Sequence, residues 1–121
     1  MTRIRVLLAV LLGLSAFALS ACGTPEPMDV GPDTVVIDVR TPGEYASGHL
    51  EGAVNIDVNS GVFAEQVAAL DPSGDYVVYC RSGNRSAQAV KAMEDLGFEQ
   101  VRDAGGVNAA ADATGLGIVT D

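Results

Sequence analysis

A strand pattern that runs directly into a helical pattern is the feature that most constrains how this chain can fold. Residues 75–79 are β-branched and aromatic, as is typical of a buried strand. Residues 86–96 carry apolar side chains at helical spacing, and the pattern stops at Gly97. Because strand and helix patterns alternate along the chain, the sequence predicts an α/β domain with a central, mainly parallel sheet flanked by helices.

The other elements are predicted from the same two periodicities. A continuous apolar run at 34–39 indicates a strand that is covered on both faces. Thr41, Pro42 and Glu44 form a helix-start pattern, with Thr as the N-cap and Glu completing a capping box. We further expect a loop at 49–52, a strand at 53–56, a helix at 62–70 that buries Val62, Phe63, Val67 and Leu70, a short strand at 101–103 and a small-residue helix or turn after Gly105-Gly106.

Cys80 lies between the strand and the helix, and its surroundings indicate a reactive thiol. A helix N-terminus offers unpaired N–H donors and a partial positive charge. Arg81 and Arg85 add two full positive charges. Both features favour the thiolate, which is the nucleophilic form of cysteine. The alternative is an inert buried cysteine, but two arginines in an apolar core would carry a high cost in free energy.

The N-terminus has the pattern of a secretory signal peptide. Two arginines precede an apolar run at 6–19, which is shorter than the ~20 apolar residues of a spanning helix. Residues 19–22 (Leu-Ser-Ala-Cys) resemble the lipobox of bacterial lipoproteins, where the chain is cut before the cysteine and its sulfur is diacylated. This resemblance implies removal of residues 1–21. It also implies an exported protein, lipid-anchored through Cys22 to the outer face of the bacterial cell membrane or in the periplasm. An ordinary secretory signal is the alternative.

The rest of the chain has room for one domain. Residues 22–32 contain three of the five prolines and predict a flexible tether that starts at the lipidated cysteine. Residues 33–121 are predicted to form the folded domain.

Charge and cysteine content exclude several classes of function. The net charge is −9, and loss of Arg3 and Arg5 with the signal peptide would make it −11, which argues against a nucleic-acid partner. A negative net charge also provides no attraction to the anionic lipids of a bilayer, so membrane attachment would depend on the lipid group bound to Cys22. With Cys22 lipidated, Cys80 is a single thiol without a disulfide partner. One Cys and one His cannot complete a zinc site, and the sequence predicts neither a metal nor a cofactor.

Three motifs follow one another in the predicted domain. The first spans residues 36–45 and continues at 48–55, the second is Cys80-Arg81-Ser82-Gly83-Asn84-Arg85-Ser86, and the third is Gly105-Gly106-Val107. Together they resemble the single-domain rhodaneses, which are thiosulfate sulfurtransferase-like proteins, over about residues 35–119. The resemblance implies a small rhodanese-like domain. The chain departs from the family after the double glycine, where Ala109-Ala110-Ala111 replaces the usual tryptophan.

The resemblance also implies a sulfurtransferase reaction. Cys80 would attack the sulfane sulfur of a donor such as thiosulfate or a persulfide and become a persulfide itself. A thiol, cyanide or an acceptor protein would then remove that sulfur, in ping-pong order. The expected substrate-binding residues are those of the loop, whose N–H groups ring the sulfur and whose arginines bind the donor's oxyanion: Arg81, Ser82, Gly83, Asn84 and Arg85. The expected loop supports are Asp38, Arg40 and His49, and Glu44 is interpreted as a helix cap.

Two other functions fit the same loop. Phosphatases and arsenate reductases also open a helix with a Cys-to-Arg loop, but four residues separate Cys80 from Arg85, where the tyrosine phosphatase signature has five. The shorter loop leaves less room for a tetrahedral phosphate above the sulfur. The second alternative is a persulfide carrier that holds sulfur for a partner protein with little turnover of free donors. The same thiolate loop would serve an enzyme and a carrier.

Overall fold

The computed structural model describes residues 26–120, which form a sheet with helices on both sides. Cys22 and the predicted signal peptide lie outside the described residues. The elements in chain order are β1 (Thr34–Asp38), α1 (Pro42–Ser47), β2 (His49–Leu50), β3 (Val54–Asn55), α2 (Phe63–Ala68), β4 (Asp75–Cys80), α3 (Asn84–Asp95), β5 (Gln100–Gly106), α4 (Val107–Thr114) and β6 (Ile118–Val119).

The main sheet has four parallel strands in the order β3-β1-β4-β5. This confirms the predicted α/β class. Strand β4 lies between β1 and β5, and its last residue, Cys80, is in register with Gly106. In open parallel sheets ligands bind outside the carboxyl ends of the strands. Cys80 therefore lies at the end of the sheet where a site is expected.

Apolar clusters cover both faces of the sheet, which explains the continuous apolar runs of β1 and β4. Ile37 and Val78 point to one cluster, which is completed by α2 and α3. Val36 and Val77 point to the other, which is completed by α4. Val62 was predicted to be buried but is 43% exposed, because it precedes α2. Leu96, the last apolar residue of the predicted helical pattern, is 49% exposed because it follows α3.

A small second sheet was not predicted. His49–Leu50 pairs with Ile118–Val119 in antiparallel fashion, so the prediction of a loop throughout 49–52 is wrong at its first two residues. Two-residue strands carry no periodic pattern, and this pair joins distant parts of the chain. Strand β5 is also longer than predicted. It continues through Gly105 and Gly106 because β4 pairs with it up to its own last residue.

The segment before β1 lies against the domain. The N–H of Met28 donates to the carbonyl oxygen of Ala113 at 2.8 Å. Met28 and Val30 also pack on the cluster that includes Ala110. These two residues fall in the stretch that the sequence predicts to be a tether, so its last part is in contact with α4.

An open hollow of about 540 Å³ lies at the amino ends of β1 and β4. Three of its polar side chains are paired with one another: Asp75 accepts hydrogen bonds from Thr34 at 2.6 Å and from Arg102 at 3.0 Å. Asp75 and Cys80 are the two ends of β4, so this hollow and the cysteine lie at opposite ends of the sheet.

Candidate active site

Cys80 ends β4, and a three-residue loop leads from it to α3. The residue is fully buried and is held by strand pairing next to it on both sides. Gly83 precedes the helix with φ 105°, a left-handed conformation that favours glycine. This turn directs the backbone N–H groups of the loop and of the first helical turn back towards the sulfur.

Hydrogen bonds around the sulfur stabilise the thiolate. The N–H of Gly83 donates to Cys80 Sγ at 2.8 Å, and Ser86 Oγ lies 3.4 Å from the same sulfur. Burial raises the pKa of Cys80, but the hydrogen bonds from the Ser86 hydroxyl and from the backbone of Ser86, Gly83 and Ser82 outweigh it, so that the pKa is lowered overall. The arrangement therefore yields a nucleophile.

Ser86 is a site residue that belongs to the second sequence motif but was not among the residues predicted to form the site. Its side chain is fully buried, and its hydroxyl donates to the carbonyl oxygen of Gly83 at 3.0 Å. The Cys80 thiol donates to this hydroxyl oxygen at 3.4 Å, and once the thiol ionises the hydroxyl can turn its own proton to the sulfur. The position of Ser86 in the first turn of α3 could have predicted this contact, because side chains there lean towards the N-terminal end of the helix, where Cys80 lies.

The double glycine lies beneath the loop. A Cβ on Gly106 would be 2.7 Å from the carbonyl oxygen of Arg81, so a side chain there would displace the loop. Gly105 has φ 74° and follows an irregularity in the pairing of β4 with β5. The third sequence motif thus acts by allowing β5 to approach the loop closely.

The predicted substrate-binding residues all lie in or next to this loop. Arg81, Ser82 and Asn84 are exposed, and Gly83 is partly buried. Arg85 is partly buried because its guanidinium group binds Glu44 on α1. The role of these residues in substrate binding stays a prediction.

Asp38 and Arg40 form a buried ion pair at the carboxyl end of β1. Arg40 donates to both carboxylate oxygens of Asp38, with the shortest distance 2.6 Å, and also to the carbonyl oxygen of Gly48. Its guanidinium carbon lies 5.7 Å from the centre of the Tyr79 ring. These contacts connect the pair to Tyr79, the residue next to Cys80, and to the turn after α1; its role in supporting the loop stays a prediction.

His49 is packed against Tyr45. Its ring is almost fully buried, stacks on the tyrosine ring at 3.7 Å, and its Nδ1 lies 2.9 Å from the Tyr45 carbonyl oxygen. These contacts join β2 to α1. The predicted role of His49 in supporting the loop stays a prediction.

Two further properties concern the described residues as a whole. Within 26–120, no three His, Cys, Asp or Glu side chains are grouped so that they could hold a metal ion. In the same range, no helix is both long enough and apolar enough to cross a membrane.

Fold and loop together define a class of small α/β domains that present a nucleophilic cysteine at the start of a helix. Residues 26–112 match the family described as Rhodanese-like domain, and the chain belongs to that family.

Similar proteins carry sulfurtransferase names. The chain is 35% identical over 71 residues to the thiosulfate sulfurtransferase PspE of Escherichia coli, covering 59% of this chain and 68% of that protein. It is 32% identical over 87 residues to a sulfurtransferase of Allochromatium vinosum, covering 72% and 79%. A solved structure titled as a rhodanese with anions from E. coli has a TM-score of 0.62 at 31% identity and covers 73% of this chain and 99% of its own. These relatives support sulfurtransferase activity in general.

Proposed function

We propose that this protein transfers a sulfane sulfur through a persulfide on Cys80. The Cys80 thiolate attacks the outer sulfur of thiosulfate, a new S–S bond forms, the S–S bond of thiosulfate breaks, and sulfite leaves with the bonding electron pair. The observation that carries the proposal is the hydrogen bond from the Gly83 N–H to Cys80 Sγ at 2.8 Å, because N–H donors that favour the thiolate also favour the persulfide anion.

The second half-reaction regenerates the thiolate. An acceptor thiolate or cyanide attacks the outer sulfur of the persulfide, and the Cys80 thiolate leaves. The added sulfur extends about 2 Å beyond the buried Sγ, so an acceptor reaches an atom nearer to solvent than Cys80 itself. Arg81 is exposed beside the loop and is proposed to attract anionic donors.

A persulfide carrier that serves a partner protein is the second candidate. The observation that favours it is the complete burial of Cys80, which shields the sulfur from free small molecules. The two functions differ in how quickly a free acceptor discharges the persulfide.

We further propose that the domain is exported and anchored by lipid on Cys22. The support comes from the sequence alone, in which a signal-peptide pattern ends in Leu-Ser-Ala-Cys. Two acyl chains are sufficient for stable anchoring.

Intact-mass spectrometry tests the sulfur chemistry directly. After incubation with thiosulfate, the unmutated protein should gain the mass of one sulfur atom, and cyanide should remove it. Cys80→Ser should gain none. A discharge rate that matches steady-state turnover would identify an enzyme, whereas slow discharge would identify a carrier. If neither thiosulfate nor a small persulfide adds sulfur, the proposal fails, and phosphate esters and arsenate become the substrates to test.

A further inference from the structure

Arg85, in the first turn of α3 next to the cysteine loop, is bound by a carboxylate from another part of the chain. Its two terminal nitrogens donate to the two carboxylate oxygens of Glu44 at 2.6 and 2.9 Å. The side chains are 23% and 25% exposed, so the pair is partly shielded from water. Two parallel hydrogen bonds of this kind fix the orientation of the guanidinium group as well as compensating its charge.

Glu44 is itself held in place by α1. Thr41 and Glu44 form the predicted capping box, in which each side chain accepts a hydrogen bond from the other's backbone N–H. The hydrogen bonds from Arg85 are the main cause that lowers the pKa of Glu44 to about 2. The carboxylate is therefore ionised over the whole pH range in which a thiolate could act, and Arg85 has a permanent counterion.

This pairing changes the charge at the entrance to the site. The sequence offers two loop cations to an anionic donor, Arg81 and Arg85. Glu44 cancels the second, and Asp57 is near enough for its negative charge to contribute to the raised pKa of Arg85. Within residues 26–120 Arg81 makes no ion pair, so of the two arginines that flank the sulfur it is the one that no carboxylate holds.

We propose that Glu44 determines donor specificity: by holding and neutralising Arg85, it disfavours doubly charged sulfur donors relative to donors with a single negative charge. The inference rests on the proposed sulfurtransferase function and assigns its preferred donor class, which is singly charged thiosulfonates and persulfides. Thiosulfate, a dianion, is then a working but suboptimal donor.

Two sulfur donors of nearly the same shape but different charge distinguish an electrostatic effect on donor specificity from a steric one. Methanethiosulfonate has a methyl group where thiosulfate has a charged oxygen, and it delivers the same sulfane sulfur while sulfinate leaves in place of sulfite. Glu44→Gln keeps an acceptor for the cap of α1 but removes the charge. We expect it to raise the ratio of kcat/KM for thiosulfate to that for methanethiosulfonate roughly five-fold, as for one unit charge at about 4 Å in water.

Glu99→Gln is the matched control, because Glu99 is exposed at the opposite end of the sheet and the change in net charge is the same. It should leave the ratio unchanged. An unchanged ratio in Glu44→Gln, or an equal increase in both variants, would overturn the role of Glu44.

A measurement on the unmutated protein does not depend on whether the variant folds. The entrance carries two positive charges, Arg81 and Arg85, and two negative ones, Glu44 and Asp57, so it is nearly neutral overall. Added salt should therefore not lower kcat/KM for thiosulfate more than that for methanethiosulfonate. A steep, selective fall with thiosulfate would reveal an uncompensated positive entrance and refute the inference. Failure of both donors to load sulfur on Cys80 would instead refute the proposed function, so the two results are distinguishable.

Discussion

At the scale of single residues, the buried hydroxyl of Ser86 tunes the nucleophile. The Ser86 hydroxyl, which can turn its proton from the Gly83 carbonyl oxygen to the sulfur once Cys80 ionises, is lost in Ser86→Ala, so the pKa of Cys80 should rise. A lower thiolate fraction at neutral pH follows. The pH dependence of the alkylation rate of Cys80 by iodoacetamide measures this shift.

Ser73→Ala provides the control for that experiment, because Ser73 is an exposed residue of the turn before β4. Its alkylation profile should overlay that of the unmutated protein. If the profile of Ser86→Ala does so too, the backbone N–H groups alone stabilise the thiolate.

The second residue-scale prediction concerns Gly106. In Gly106→Ala the new methyl group would meet the carbonyl oxygen of Arg81 at 2.7 Å, and the loop must move. We expect the free energy of unfolding to fall by about 1–3 kcal/mol, as for other overpacked sites, and sulfur loading of Cys80 to slow. Urea unfolding and intact-mass kinetics give the two readouts.

Gly43→Ala is the contrasting substitution. No atom lies within 4 Å of the position of its Cβ, and Gly43 is in the first turn of α1, where alanine is the better helix former. Stability should stay the same or increase slightly. Equal losses in both variants would show that the close approach at Gly106 is not the cause.

Site residues could be predicted from sequence where the residues that create the site are neighbours along the chain. Cys80 and its flanking arginines stood out because a strand end, turn residues and a helix start are neighbours in sequence. The Glu44–Arg85 pair could not be predicted, because it joins residues 41 positions apart and depends on how α1 and α3 approach each other. Glu44 was recognised only in its local role as a helix cap.

At the scale of elements, the ion pair links α1 to α3 and should make stability depend on acid. The pKa of Glu44 is lowered from 4.5 to about 2, mainly by hydrogen bonds from Arg85. Its contribution to the free energy of unfolding is therefore complete above about pH 4.5 and is lost as the pH falls towards 2. Urea unfolding between pH 5 and 2 should show a flatter pH dependence in Glu44→Gln.

Arg85→Gln should also flatten the acid dependence, but less than Glu44→Gln, because the Thr41 N–H still donates to the Glu44 carboxylate and keeps part of the pKa shift. An acid dependence as steep as that of the unmutated protein in either variant would mean that other carboxylates control acid unfolding.

Elements with a clear period were found from sequence, and the shortest ones were not. Strands β1 and β4 each carry a continuous apolar run, and helix α3 carries apolar residues at helical spacing, so all three could be recognised. Strands β2 and β6 have two residues each, and their pairing is fixed only when the two distant segments meet around buried Leu50. Tertiary contacts, rather than propensity, define such strands.

At the scale of the whole molecule, the predicted lipid anchor can be tested separately from the chemistry. In a bacterial host, the unmutated protein should fractionate with membranes and incorporate a labelled fatty acid, whereas Cys22→Ser should do neither. The net charge of −9 gives no electrostatic attraction to anionic lipid that could replace the acyl chains. Membrane association that persists in Cys22→Ser would contradict lipidation as the anchor.

The hydrogen bonds on Cys80 Sγ also make reactivity conditional on folding. Gly83 N–H and the backbone of the first turn of α3 reach the sulfur only once the loop has closed between β4 and α3. In an unfolded chain the same cysteine is an ordinary thiol with a pKa of about 8.5. A newly made chain thus carries an ordinary thiol until its sheet is assembled, and the pH at which that thiol ionises becomes a reporter of maturation.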